Sequence, residues 1–311
     1  MVFDASASRL AASTLLVGVL VCGSAAGQQL TFKSGAERVT VAVVARDRNG
    51  RPMTGLSPAD FELLDDGQPR KILDFRSDAS AVSVALLLDT SGSMRIPPKL
   101  QLSTKVGHLL LASMSEGLDE AGLFVFDKTV RTAQPFTTEF DRLRSALASV
   151  HPFGSTSLYD AIAETAQQLS TRAGRRALVV LTDGVDTSSQ RTAAEVSSIA
   201  STVDMPVYVV AIGRSTEELS AGRTAKADDA PGNGTLTDLA RWSGGAFYAA
   251  ATVADGSVAV RQIVADLRAQ YLLAFEPASL PGWHRTEVRA RQRLTLQARS
   301  GYWIGPSTVQ P

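Results

Sequence analysis

Apolar residues recur along this 311-residue chain in two different rhythms, and the change between them divides it. From residue 30 to about 78 the rhythm is that of strands. Residues 38–46 (RVTVAVVAR) are β-branched and largely alternating, and Asn49-Gly50 just beyond them is a strong turn signal. Residues 61–64, then Asp65-Asp66-Gly67, then residues 71–75 read as a second hairpin. No long helical period appears here, so the stretch predicts a small all-β piece.

From residue 81 to about 250 short apolar runs alternate with helical segments. Residues 82–88 (VSVALLL) form a nearly continuous apolar run, the pattern of a strand buried on both faces. Further strands are expected at 122–127, 177–181 and 206–212, with Phe247-Tyr248 after them. Helices are expected at 98–114, 141–150, 158–169, 193–203 and 235–242, and hydroxyl residues ahead of Leu158 are placed to cap the third. This alternation predicts an α/β fold: three layers, doubly wound, with a mostly parallel sheet between helices. Residues 220–234 hold few large apolar side chains and read as a mobile surface loop. A helix at 258–269 and strands at 271–275, 286–290 and 293–298 follow. These last strands are expected to pack with the N-terminal β segment, forming a small additional β domain from both ends of the chain. The predicted organisation is a leader at 1–27, a β segment at 28–79, the α/β domain at 80–270 and a closing β segment at 271–311.

The leader reading rests on Arg9, the apolar run 10–21 and the small residues 23–27, which have the length and order of a signal peptide rather than of a membrane span. It predicts export, to a periplasm or the exterior, with membrane attachment only if the leader stays uncleaved. Cys22 is the only cysteine, so removal of the leader leaves a chain without disulfides or cysteine-bound zinc. Lys plus Arg equals Asp plus Glu, 31 each. That balance gives no electrostatic reason to expect nucleic acid as a partner.

The residues that carry chemistry follow the run 82–88. Asp89, Ser91 and Ser93 leave the strand at alternate positions, where a tight loop through Gly92 can turn three oxygens to one point. In an open α/β sheet this crevice beyond the carboxyl ends of strands is where ligands bind. One carboxylate and two hydroxyls suit a hard cation, Mg²⁺, Mn²⁺ or Ca²⁺, and not zinc.

Asp-x-Ser-x-Ser after the first buried strand resembles the metal-ion-dependent adhesion site of von Willebrand factor type A domains. Two further pieces of that pattern occur in order: Thr156 within Gly154-Ser155-Thr156-Ser157-Leu158-Tyr159-Asp160, and Asp183 within Leu181-Thr182-Asp183-Gly184. The resemblance covers roughly 81–248, and the flanking segments look like a bacterial exported subgroup. It implies that Asp89, Ser91, Ser93, Thr156 and Asp183 form a divalent-cation site, Mg²⁺ first. The implied partner is a protein presenting an Asp or Glu carboxylate, with neither nucleic acid nor a small-molecule substrate. Asp160, Asp186 and Thr187 are read as turn or cap residues, and Trp242, Trp283 and Trp303 as packing residues. Arg289, Arg291, Arg293 and Arg299 are read as a solvated face.

Enzyme readings fare poorly. His108, His151 and His284 are the only histidines, and no His-x-x-His, His-Glu-x-x-His or Gly-x-Ser-x-Gly spacing occurs. A Mg²⁺-dependent phosphatase of the haloacid dehalogenase type could use Asp89 as nucleophile, but Ser91 stands where it needs a second acid. The remaining alternative is a structural envelope protein whose contacts are independent of metal.

Overall fold

A computed structural model describes residues 38–77, 81–172, 174–193, 195–196, 199–200, 205–215, 235–278 and 280–304. The expected leader, Cys22 and the expected loop at 220–234 lie outside the described residues, as does part of the expected 193–203 helix.

The central layer is a six-stranded sheet. β5 (Val82–Asp89) lies between β8 (Arg175–Thr182) and β6 (Glu120–Phe126), with β9 (Val207–Ile212) and β10 (Phe247–Ala250) beyond β8 and β7 (Val130–Thr137) beyond β6. Every pairing is parallel except β6 with β7. Every residue of β5 is buried, in keeping with its nearly continuous apolar run. Val84, Leu86 and Leu88 pack on one face against α1 (Lys99–Ser113), α2 (Phe140–Ala148) and α5 (Val253–Ala269). Ala85 and Leu87 pack on the other against α3 (Leu158–Ser170) and α4 (Leu236–Trp242). The strict alternation gives each face its own core. Truncating one such side chain, Leu86→Ala for instance, would cost about 2–5 kcal/mol.

Two antiparallel four-stranded sheets form the second body of the fold. One has the order β13 (Thr295–Ala298), β1 (Val39–Arg46), β11 (Tyr271–Phe275), β4 (Asp74–Arg76). The other has the order β14 (Gly301–Ile304), β12 (Gly282–Ala290), β2 (Phe61–Asp65), β3 (Gln68–Arg70). Val41, Val43, Leu273 and Phe275 from the first and Phe61, Leu63 and Tyr302 from the second share one apolar core. Strands from both ends of the chain therefore interleave: β1 lies between β11 and β13, and β2 pairs with β12. The chain is thus mixed α/β, a mostly parallel six-stranded sheet with added antiparallel sheets.

Several elements differ from the sequence expectation. The hairpin return is Gln68–Arg70, while residues 74–76 cross to the other sheet and pair with β11. β7 and β14 were absent from the expectation; β7 reads VRTAQPFT, an exposed edge strand with little apolar signal. α5 starts at Val253 rather than residue 258, fixed by a reciprocal cap in which Thr252 and Asp255 bond each other's backbone N–H. Arg299 is buried, and its guanidinium donates to the Thr40 carbonyl at 2.7 Å, so it is not part of a solvated face.

Candidate metal centre

Parallel pairing sets the site. β5 and β8 run in register with Leu88 beside Leu181, so Asp89 and Thr182 end neighbouring strands at the same level. The Thr182 hydroxyl donates to Asp89 Oδ2 at 2.6 Å, and the Ser91 N–H donates to Asp89 Oδ1 at 2.8 Å. Asp89 is fully buried. Burial pushes its carboxyl up from the ordinary range; hydrogen bonds from Thr182 and Ser91 oppose that, and the negative charge of Asp183 adds to it.

The next loop is clamped to the first. The Gly92 N–H donates to the Gly154 carbonyl at 2.8 Å, and the Phe153 N–H donates to the Thr90 carbonyl. Gly154 has φ +91°, and a Cβ there would meet the Asp127 carboxyl at 3.1 Å, so this turn favours glycine on both counts. Thr156 follows, with its backbone fixed by the third loop. The Thr187 and Ser188 N–H groups donate to its carbonyl, and its own N–H donates to the Thr187 hydroxyl at 3.1 Å. Thr187 is thus a brace. Asp186 accepts from the Leu158 N–H at 2.8 Å, and Ser189 Oγ from the Tyr159 N–H at 3.0 Å. The cap of α3 therefore comes from residues about thirty positions on; Ser157, its N-cap residue, makes no side-chain cap bond. Asp160 lies in the first turn of α3, where its charge suits the helix dipole.

The fold brings the three sequence-predicted loops together, with Asp89, Ser91 and Ser93 beyond β5, Thr156 before α3 and Asp183 beyond β8. Asp89, Ser91, Thr156 and Asp183 are buried and Ser93 is half-buried. The donor set is oxygen only. The Ser91 and Ser93 hydroxyls stand 3.0 Å apart. That is a hydrogen bond between them, and it is also about the spacing of two neighbouring ligands of an octahedral ion held at about 2.0–2.1 Å, so the pair is compatible with Mg²⁺. No described residue hydrogen-bonds the Thr156 hydroxyl. A cation already stands at the fifth residue: Lys99 Nζ lies 2.8 Å from Asp183 Oδ2. Sequence reasoning passed over Lys99 and Thr182. Lys99 did leave a signal, a cation in the first turn of a helix, where the dipole disfavours it.

One large apolar side chain on or beside each loop is left exposed: Ile96 after the first, Phe153 before the second, Val185 after the third. The Arg95 guanidinium lies 5.9 Å from the centre of the Phe153 ring.

Asp65, Asp66 and His284 form a second group, with ligand atoms within 4.8 Å of one another. Its capacity is taken up by the chain. Asp65 accepts from the Tyr302 hydroxyl at 2.9 Å, the Ala278 N–H at 3.1 Å and Arg70. His284 faces Asp66 Oδ2 at 2.8 Å and the Leu280 carbonyl at 2.7 Å. Each ring nitrogen is thus turned to an oxygen of the chain itself rather than to open space.

A family model described as von Willebrand factor type A domain matches residues 84–185, about a third of the chain. No curated protein matches. Among solved structures, the chain is similar to an aerotolerance-related membrane protein from Bacteroides fragilis carrying multiple mutations to serines. The identity is 22%, covering 59% of this chain and 98% of that one, with a TM-score of 0.47. It is similar also to a von Willebrand factor type A protein from Catenulispora acidiphila, at 13% identity over 89% of this chain and 76% of that one, TM-score 0.48. The PilB minor pilin of Streptococcus sanguinis is 14% identical over 62% of each chain, TM-score 0.48.

Proposed function

We propose, from the premise that residues 84–185 of this chain form a von Willebrand factor type A domain, that it is an exported protein-binding module. In this reading Asp89, Ser91, Ser93, Thr156 and Asp183 hold a divalent cation that takes an Asp or Glu carboxylate of a partner. One observation carries the proposal: three separate loops meet at the carboxyl ends of β5 and β8 and present only oxygen donors there. When bound, Mg²⁺, Mn²⁺ or Ca²⁺ supplies a hard Lewis-acidic position open to an incoming carboxylate oxygen.

The residues divide that work. Thr182 and the Ser91 N–H hold Asp89 in one orientation. Ser91, Ser93 and Thr156 contribute neutral oxygens, so no carboxylate beyond Asp89 and Asp183 opposes the charge that draws an acidic partner. Ile96, Phe153 and Val185 give the surrounding face apolar area for contact. We assign no catalytic role to these residues, because Ser91 lacks the acidity that a phosphatase needs two positions after its nucleophile. The leader at 1–27 supports a periplasmic or secreted location. Among the described residues no helix is long and apolar enough to cross a membrane.

A metal-independent contact by the same fold is the second reading, and it is favoured by Lys99, which already pairs with Asp183. Calorimetric titration of Mg²⁺, Mn²⁺ and Ca²⁺ into the chelator-treated protein separates the two. Saturable binding near one ion per chain, lost in the double variant Asp89→Ala/Asp183→Ala, is expected. A folded chain that takes up none of the three ions, either as wild type or with Lys99 changed to a neutral residue, would overturn the metal reading.

A further inference from the structure

Lys99 is an odd residue at its position. It opens α1, where the unpaired N–H groups of the first turn make a positive charge unwelcome, and that turn holds no acidic residue. Its stem runs along the backbone at the end of β9: a Cβ on Gly213, which has φ +72°, would lie 3.5 Å from Lys99 Cγ and Cε. Guided there, the ammonium reaches Asp183 Oδ2 at 2.8 Å. Asp183 is 2% exposed and Lys99 24%, so the pair is shielded on the aspartate side and open on the lysine side. An ammonium is a compact point charge on a flexible stem, able to leave one partner without moving the backbone.

The charge count gives this contact its consequence. Asp89 and Asp183 carry two negative charges at most, the three hydroxyl ligands none, and Lys99 returns one positive charge to the same loops. A divalent ion entering beside Asp183 therefore meets a carboxylate that is already paired, and a like charge next to it.

We infer that Lys99 is a tethered cation that occupies Asp183 when no metal is present and competes with the divalent ion for it, setting the affinity of the site. The inference rests on the metal-binding reading above and adds a regulator to it. Metal entry then requires the ammonium to withdraw towards solvent, along the side on which it is exposed. A purely structural ion pair predicts otherwise: its loss would lower stability with or without metal and leave ion affinity alone.

The test uses the chelator-treated full chain as wild type, Lys99→Met, Lys99→Gln and Lys99→Arg, titrated calorimetrically with Mg²⁺ and with Mn²⁺, and melted in chelator and in Mg²⁺. Lys99→Met is expected to bind Mg²⁺ about tenfold tighter than wild type or more, and Lys99→Arg within about threefold of it, because only the first removes the competing charge. In chelator Lys99→Met should melt below wild type, since Asp183 loses its counter-charge, and Mg²⁺ should raise its midpoint more than it raises that of wild type. Lys99→Gln keeps a neutral hydrogen-bond donor and serves if the methionine variant does not fold; it should tighten Mg²⁺ binding in the same direction. Ion binding by Lys99→Met but not by wild type would support the inference in its strongest form. Equal affinities for wild type and the neutral variants would overturn it while leaving the metal site standing. Absence of binding in every folded variant would overturn both.

Discussion

Asp65 and Asp183 are both carboxylates with almost no exposed surface, and they use their oxygens differently. Asp65, in the antiparallel sandwich, accepts from Tyr302, Arg70 and the Ala278 backbone, and beside it His284 bridges Asp66 and the Leu280 carbonyl. Tyr302 and Arg70 stand there on strands, and Asp66 in a tight turn. Asp183, at the end of β8, has a flexible ammonium as its strong partner and only a long 3.4 Å contact from the Val185 N–H. The sandwich cluster is closed by its own chain, and the cluster beyond β5 and β8 is left able to exchange a partner. Similar acids are thus held in two ways, and the difference lies in their partners rather than in their number.

The largest effect is expected from breaking the closed cluster. Asp65→Ala leaves the buried Tyr302 hydroxyl without its acceptor and the partly exposed Arg70 without its counter-charge. A loss of about 3–5 kcal/mol follows, read as a lower denaturant midpoint. Mg²⁺ affinity of the folded fraction should not move. A mild stability loss, under about 1 kcal/mol, would mean that the closed cluster is less closed than its contacts indicate.

A second break lies between the two bodies of the fold. Asp266 on α5 is fully buried against Arg46 of β1, and its Oδ2 has no hydrogen-bond partner among the described residues. Desolvation raises its carboxyl to about 6, and the attraction of Arg46 only partly offsets that. The raised value fixes the sign. As pH falls from 7 towards 4, the folded chain takes up a proton that the unfolded chain binds only at lower pH, so this group makes the fold more stable. The gain between pH 7 and 4 is about 2–3 kcal/mol. Asp266→Asn should flatten the stability profile over that window, and an unchanged profile would rule Asp266 out as its source.

A smaller effect sharpens the contrast. In Asp89→Asn the side-chain oxygen can accept from only one of the Thr182 hydroxyl and the Ser91 N–H, and against that loss the charge that burial disfavours is gone. In chelator its stability should lie within about 1 kcal/mol of wild type, against the much larger loss for Asp65→Ala. Mg²⁺ binding should weaken severely. A large destabilisation in chelator would place Asp89 with the closed cluster.

Much of this arrangement was legible in the chain, for local reasons. A strand buried on both faces is mostly apolar, so the nearly continuous run of β5 announced itself, and the Asp-x-Ser-x-Ser run stood at its carboxyl end. What escaped was set by distant partners. Lys99 shows only its unfavourable place in a helix's first turn until β8 and β9 are placed beside it, because its partner Asp183 lies 84 positions on. The cap of α3 comes from Asp186 and Ser189, which no local pattern ahead of Leu158 reveals. β7 holds its place at the sheet edge with a polar sequence containing Pro135, and β3 is a three-residue return with Pro69 at its centre. Neither carries the alternation by which strands are found.

The smallest effect on stability, and the one that reaches the partner, concerns the apolar rim. Ile96, Phe153 and Val185 are more than two-fifths exposed, so they contribute little to the core. Changing each to Ser should alter stability by no more than about 0.5 kcal/mol per site and leave Mg²⁺ affinity as it was. Their position around the loops predicts that the partner's acid has apolar neighbours. In Mg²⁺, a fluorescent peptide with Asp between two leucines should bind wild type better than one with Asp between two glycines. Covering two or three such side chains would make the preference about tenfold. The triple variant should lose the preference and retain whatever affinity the glycine peptide has. Equal binding of both peptides to wild type would limit recognition to the carboxylate. A preference that survives in the triple variant would assign it to other residues of the same face.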